Sequence, residues 1–222
     1  MLLLGIDTCG PAGSVALGRM TGAEVSVLGE TPLEGKTYSA TLVAAVSDLL
    51  PAHGIKLAGI GCIVAVSGPG SFTGVRVGLS VVKGLAEGAG LRVVAVSRLE
   101  VLAQKSHCAN AALDAHRHEV FLRVDGHEML AGAQELASMV PPAQVAVCDH
   151  GAEDLLGKAW PGTELVHVPV PLAGDALRIA SGSILAGHFA DIALLDGHYL
   201  RRSDAEIFGE KQQSAPASPE NA

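Results

Sequence analysis

The residues whose types could do chemistry gather at "SGPGSFTG", residues 67–74. Gly68, Gly70 and Gly74 strip side chains from the backbone, Pro69 sets a turn, and Ser71 and Thr73 add hydroxyls. A helix opening there would offer free N–H groups and the positive end of its dipole to an anion. A second reading is available: Pro69 and the glycines shape a turn, and Ser71 or Thr73 caps the helix. Both nucleotide fingerprints fail. The Lys of G-x-x-x-x-G-K-[ST] is missing, and a G-x-G-x-x-G begun at Gly68 needs glycine where Thr73 stands. Asp7-Thr8, after the first apolar run, could set a carboxylate near a phosphate or a metal, or form a turn. The candidate ligand-binding set is Asp7, Thr8, Ser67, Gly68, Pro69, Gly70, Ser71, Thr73 and Arg76.

Other chemistries find no residues. No two of the nine histidines are three to five apart, so no helical H-x-x-x-H or H-E-x-x-H face exists. His116 and His118 could share one side of a strand, but in the charged turn "DAHRHE" they read as a solvated pair. G-x-S-x-G does not occur, and Ser67 and Ser71 have no identifiable base. Cys9, Cys62, Cys108 and Cys148 form no C-x-x-C and read as reduced, mostly buried thiols. The expectation is no catalytic residue, no metal and no cofactor.

The elements that must position the loop follow from periodicity. "LLLGID", "GSVALG" and "AEVSVLG" are three short strands joined by tight turns. Leu42, Val46, Leu49 and Leu50 then mark an amphipathic helix that Pro51 stops. "GIGCIVAVS" and "LRVVAVS" are continuous apolar runs suited to strands covered on both faces. The glycine loop and its helix lie between them, and Ser97 to Glu100 form a capping box for one more helix. A three-strand meander followed by alternating strands and helices predicts an α/β fold, a mixed sheet flanked by helices of the ribonuclease H-like class. "AALDAHRHEVFLRVDG" restates the opening, with Asp114 standing where Asp7 stands, which is a hint of duplication. "AQVAVCD" and "ELVHV" read as strands, and Asp175 to Ala190 as a helix.

Composition narrows the class. A chain of 222 residues with 49% hydrophobic and 17% charged residues buries a core. A net charge of -8 argues against gripping phosphate backbone directly. No apolar run reaches the roughly 20 residues of a membrane helix. "MLLLGID" lacks the basic region and cleavage site of a signal peptide, so a cytoplasmic chain without membrane contact is expected.

"SGPGSFTGVRVGL", "LLGIDT", "LDAHRHEVFL" and "HYLRRSDAE" together resemble the TsaB (YeaZ) family. The resemblance spans residues 3 to 206 and implies two lobes of the actin-like ATPase and ribonuclease H-like type. It divides the chain into an N-terminal lobe at 1–106 that carries the partner-binding helices and a smaller related lobe at 107–208, while "GEKQQSAPASPENA" at 209–222, rich in Pro, Ser, Gln and Ala without apolar spacing, reads as a disordered tail. The resemblance further implies a non-catalytic subunit paired with TsaD, the metal-bearing protein that transfers threonylcarbamoyl to N6 of adenosine 37 in tRNAs reading codons that start with A. TsaE, an ATPase, and TsaC, which supplies threonylcarbamoyl adenylate, are the further implied partners. The chain would be a homodimer when alone and meet tRNA only through the complex. TsaD-like relatives bind metal through H-x-x-x-H in the first helix, where this chain has "TYSATLVA", and Tyr38 stands where TsaB-like sequences often keep a histidine. The rival readings are a nucleotide-binding enzyme of the actin-like or kinase superfamily and a stand-alone homodimeric scaffold or peptidase-like protein.

Glycines inside the helix after the loop carry a cost. Gly78 and Gly84 together give up about 2 kcal/mol of helix preference. Gly74 and Gly78 lie four apart, as do Gly84 and Gly88, so either this helix packs closely on its own sheet or another chain approaches it. By resemblance the first two helices form the pairing surface, with Tyr38, Leu42, Val46, Phe72, Gly74, Val75, Gly78, Leu79 and Val82 as its residues.

Overall fold

The computed structural model describes residues 1–201. The tail expected at 209–222, and the end of "HYLRRSDAE" from Arg202, lie outside the described residues.

The opening runs form a meander of β1 (Leu2–Asp7), β2 (Ala12–Thr21) and β3 (Glu24–Glu34). Next come α1 (Tyr38–Ala52), β4 (Cys62–Val66), α2 (Phe72–Ala89) and β5 (Arg92–Val96). β2 pairs antiparallel with β1 and β3, while β4 runs parallel to β1 and β5 parallel to β4, giving the order β3-β2-β1-β4-β5. Every residue of β4 is buried, as a continuous apolar run covered on both faces requires. Pro51 lies inside the last turn of α1 rather than stopping it, and the helix runs on to Ala52.

After α3 (Arg98–Ser106) the chain repeats this plan. A meander of β6 (Ala111–His116), β7 (Glu119–Val124) and β8 (His127–Gly132) leads through α4 (Ala133–Ser138) to β9 (Gln144–Val147), and through α5 (His150–Ala159) to β10 (Glu164–His167). Read from its meander edge, the second sheet has the order β8-β7-β6-β9-β10, with β9 parallel to β6 and β10 parallel to β9. First, second, third, fourth and fifth strands thus occupy the same places in both sheets. The duplication hinted at by Asp114 is present in the topology, and the fold is the expected two-lobed α/β arrangement.

The expected division at 106/107 needs correction. α3 lies before it but packs on the second sheet, where Leu99 and Leu102 join Leu113 and Phe121. The chain then returns: α6 (Ala173–Ile179) and α7 (Ser181–Leu185) place Ala173, Ala176, Leu177 and Ile184 in the core of the first sheet. Each lobe therefore lends a helix to the other. An amphipathic stripe fixes which face of a helix is buried but not which sheet receives it. The single helix expected from Asp175 to Ala190 is two short ones, divided at Ala180 and ended before Gly187, which turns the chain at φ 72°. The second lobe has its own core, in which Leu122, Leu136, Val147 and Leu156 surround Trp160, whose indole N–H donates to Leu136 O at 3.0 Å. Among the described residues no helix is long and apolar enough to cross a membrane.

Candidate functional site

The repeated topology brings the carboxyl ends of β1 and β6 to the two sides of one cleft, the place where open parallel sheets hold ligands. Its volume is about 1050 Å³, and it is lined by the glycine loop, Phe72, Arg98, Leu113, Phe121, Asp114 to Arg117, and His198 to Arg201. Both strands end on the same device. Asp7 Oδ1 accepts the N–H of Cys9 at 2.8 Å, and Asp114 Oδ1 accepts that of His116 at 2.7 Å.

Asp7 is fully buried, and its Oδ2 faces the Nε of Arg98 at 3.8 Å. Burial raises its carboxyl above the ordinary value; the Arg98 charge and the Cys9 N–H offset only part of that. The neighbouring Cys9 thiol is pushed well up, by burial first and then by Asp7, so it stays protonated. Thr8 is also committed, its hydroxyl donating to Gly74 O at 2.7 Å.

The loop takes its shape from close approach. Gly70 packs so tightly on Cys9 that a Cβ would lie within 3.0 Å of the Cys9 carbonyl. Of the two possible caps Ser71 is the one used, accepting the N–H of Gly74 at 3.3 Å, while Thr73 is exposed. Ser67 is tied into the fold through Val96 O and through its own carbonyl, which accepts the His198 N–H at 2.7 Å. Arg76 lies over the Phe72 ring at 3.8 Å and donates to the Tyr199 hydroxyl at 3.3 Å.

The expected interface set is corrected by burial. Tyr38, Leu42, Val46, Val75, Leu79 and Val82 are all buried in the first lobe's own core, with the Tyr38 hydroxyl donating to Gly10 O at 2.8 Å. Gly74 and Gly78 face Thr8, where a Cβ on either would stand within 3.0 Å of it. The spacing of these two glycines thus reflects close packing within the lobe. Only Phe72 of that set is exposed, at 37%. Gly84 and Gly88 do open to solvent, with nothing within 4 Å of a Cβ.

Two polar groups escaped the sequence reading. Arg98 was visible only as the second residue of a capping box. Ser97 does cap α3, accepting the N–H of Leu99 at 3.2 Å, but its hydroxyl proton goes to Glu128 at 2.7–2.8 Å. Glu128 also accepts from Arg123 at 2.9 Å and pairs with His198 at 2.8 Å, joining α3, the second sheet and the C-terminal segment. Burial alone would raise its carboxyl; the bonds from His198, Ser97 and Arg123 outweigh it and hold the group below 4.5. Arg201 closes the same segment over the second lobe, donating to Ala115 O at 2.7 Å and pairing with Glu119.

Two like-ordered mixed sheets with a cleft between the carboxyl ends of their first strands define a two-lobed protein of the actin-like, ribonuclease H-like class. A family model described as "TsaD: tRNA N6-adenosine threonylcarbamoyltransferase" matches residues 32–159. The tRNA threonylcarbamoyladenosine biosynthesis protein TsaB of Escherichia coli is 36% identical over 92% of this chain and 96% of that protein. TsaB of Bacillus subtilis is 35% identical over 93% of this chain and 96% of that protein. A Pseudomonas aeruginosa crystal structure, described as similar to peptidase YEAZ, superposes with a TM-score of 0.75 at 27% identity, covering 90% of this chain and 99% of that one. The chain belongs to the TsaB (YeaZ) family.

Proposed function

We propose that this chain works in tRNA threonylcarbamoyladenosine biosynthesis as a non-catalytic subunit that pairs with TsaD. The observation carrying this reading is that the hydroxyls at the end of β1 are spent on the fold, Thr8 on α2 and Ser67 on β5, while the Asp7 carboxyl is buried against Cys9 and Arg98. No nucleophile with a base stands among them. Relatives matched over nearly their whole length carry the name of the pathway.

The pairing surface in this reading is the outer side of α1 and α2, which pack against one another on the first sheet. Ala40, Val43, Ala44 and Ser47 follow helical spacing on the exposed side of α1; Thr73, Ser80, Gly84 and Gly88 do so on α2. None of these is charged; the exposed Asp48 of α1 and Arg76, Lys83 and Glu87 of α2 border them. Small uncharged residues on adjacent helices let a partner's backbone come close without leaving charges buried. TsaD takes this face in the complex and a second copy takes it in isolation. TsaE and TsaC complete the pathway, and tRNA is met through the complex.

Co-expression with the TsaD of the same organism tests the reading. A stable complex that restores tRNA modification from purified components is expected. Modification proceeding at full rate with this chain omitted would overturn it.

A further inference from the structure

Among the described residues Arg98 Nε, Asp7 Oδ2 and Arg123 Nε are buried without a hydrogen-bond partner, and the first two face each other. The Arg98 side chain is only 6% exposed, yet its guanidinium Nε–H makes no hydrogen bond, and the ion pair with Asp7 at 3.8 Å is the polar contact it has. A guanidinium has five donors in a rigid fork, matched to the two oxygens of a carboxylate or phosphate, and leaving such donors buried and unmet is costly. The backbone holds the group in place: Arg98 N–H donates to Gly68 O at 2.6 Å, and Gly10 lies flush beneath the guanidinium, where any Cβ would collide with it. The guanidinium lines the cleft.

A second donor set points into the same space. Ser71 satisfies the N–H groups of Gly74 and Val75, while helix geometry leaves those of Phe72 and Thr73 ahead of them unpaired. The 18-residue α2 directs its positive end there. Lys36 stands at the rim.

We propose that the cleft between the lobes binds a small molecule bearing one carboxylate or phosphate, whose oxyanion docks on the Arg98 guanidinium at the N-terminus of α2. The walls define the rest of the ligand. Phe72, Phe121, Leu113 and Tyr199 favour an apolar or flat body, and a cleft of about 1050 Å³ holds more than an ion. Glu34, Asp114 and Asp149 line it together with Lys36, Arg117 and Arg201, so the carboxylates are offset by cations and the seat of the oxyanion is set by the buried Arg98 rather than by net charge. This site meets the pairing face only at Thr73, in the first turn of α2.

The test titrates the full chain with benzoate, with inorganic phosphate and, at matched ionic strength, with chloride, following amide and arginine Nε–H resonances. Benzoate should give saturable shifts at Gly70 to Thr73 and at Arg98 Nε–H, with a dissociation constant on the order of millimolar, while chloride gives none. Phosphate binding more tightly than benzoate would support the site and assign its source to phosphates. An Asp7→Asn/Arg98→Met double variant removes the pair without stranding either charge, and should weaken binding by about tenfold or more. Equal shifts in that variant, or an unmoved Arg98 Nε–H in the unaltered chain, would overturn the proposal. The Nε–H readout needs no variant to fold.

Discussion

Two glycines of α2, six residues apart, should respond to alanine with opposite signs. At Gly78 a Cβ would lie within 3.0 Å of Thr8 Oγ1, and that hydroxyl is held by its 2.7 Å bond to Gly74 O, so it cannot swing away without losing a buried hydrogen bond. The helix must withdraw by about 1 Å to regain ordinary contact, or the bond must break. Overpacking costs about 1–3 kcal/mol and the lost bond about 1 kcal/mol, against a gain of about 1 kcal/mol in helix preference. Gly78→Ala is therefore destabilising by about 2 kcal/mol, a fall of about 4–8 °C in melting temperature for a chain of this size. Gly84 has nothing within 4 Å of a Cβ, so Gly84→Ala keeps the gain of about 1 kcal/mol and should raise the melting temperature. Urea and thermal unfolding followed by circular dichroism read both. In a double-mutant cycle, Thr8→Ala should recover part of the Gly78→Ala loss and none of any Gly84→Ala effect. Equal stabilisation by the two alanines would refute the packing of Gly78 on Thr8.

Val43→Glu puts a charge on the outer side of α1, at a residue 54% exposed. It should change stability by no more than about 0.5 kcal/mol and weaken pairing with TsaD about tenfold or more, measured by size-exclusion chromatography and titration; undiminished pairing would move the interface elsewhere. Glu128→Gln should cost about 2 kcal/mol at neutral pH, because three donors converge on the carboxylate. A carboxyl held below 4.5 lends stability that is full above that value and is lost as pH falls through its folded value. The gap between the unaltered chain and Glu128→Gln in urea melts should accordingly close as pH drops below about 4.5; a gap constant down to acid pH would contradict the bonded carboxylate.

The strands that build the cleft were legible because their signal is local. β1, β4 and β5 are short apolar runs bounded by turn residues, and α1 and α2 show buried stripes at helical spacing. The glycines of α2 announced a close approach but not its object, since Thr8 lies 66 residues from Gly74 in sequence. Tyr38, Leu42 and Val46 illustrate the same limit. Apolar spacing on a helix marks the side that leaves water, and the chain's own sheet takes that side before any partner can. Half-buried β8 and the six residues of α4 carry too little periodicity to be read, whereas α5 did carry a signal in Asp149 as N-cap and Lys158 in its last turn. Arg98 and Glu128 each bridge elements far apart in sequence, Arg98 to Asp7 and Glu128 to Ser97 and His198, so their partners follow from the crossing of α3 between the lobes.

The duplicated plan also explains why only one side of the cleft keeps an open helix end. In both lobes the helix after the fourth strand brings a glycine against the end of the first strand, Gly78 on Thr8 and Gly151 on the Asp114 carboxyl. The caps differ. α2 begins on the uncharged Ser71, so its dipole end stays electrostatically open. α5 begins on Asp149, whose carboxylate accepts the N–H groups of Ala152 at 2.8 Å and Asp114 at 3.0 Å and already satisfies the positive end of that helix. The buried cation follows the same asymmetry, because α3 crosses to the second sheet yet sets Arg98 against Asp7 at the end of β1. The first lobe's side of the cleft thus keeps a buried guanidinium beside an open helix end, while the helix end on the second lobe's side is already closed by Asp149. An oxyanion entering between the lobes finds unmet donors at the glycine loop and an already capped helix end beside Asp114, so the orientation of a bound ligand is set by where the two repeats diverged.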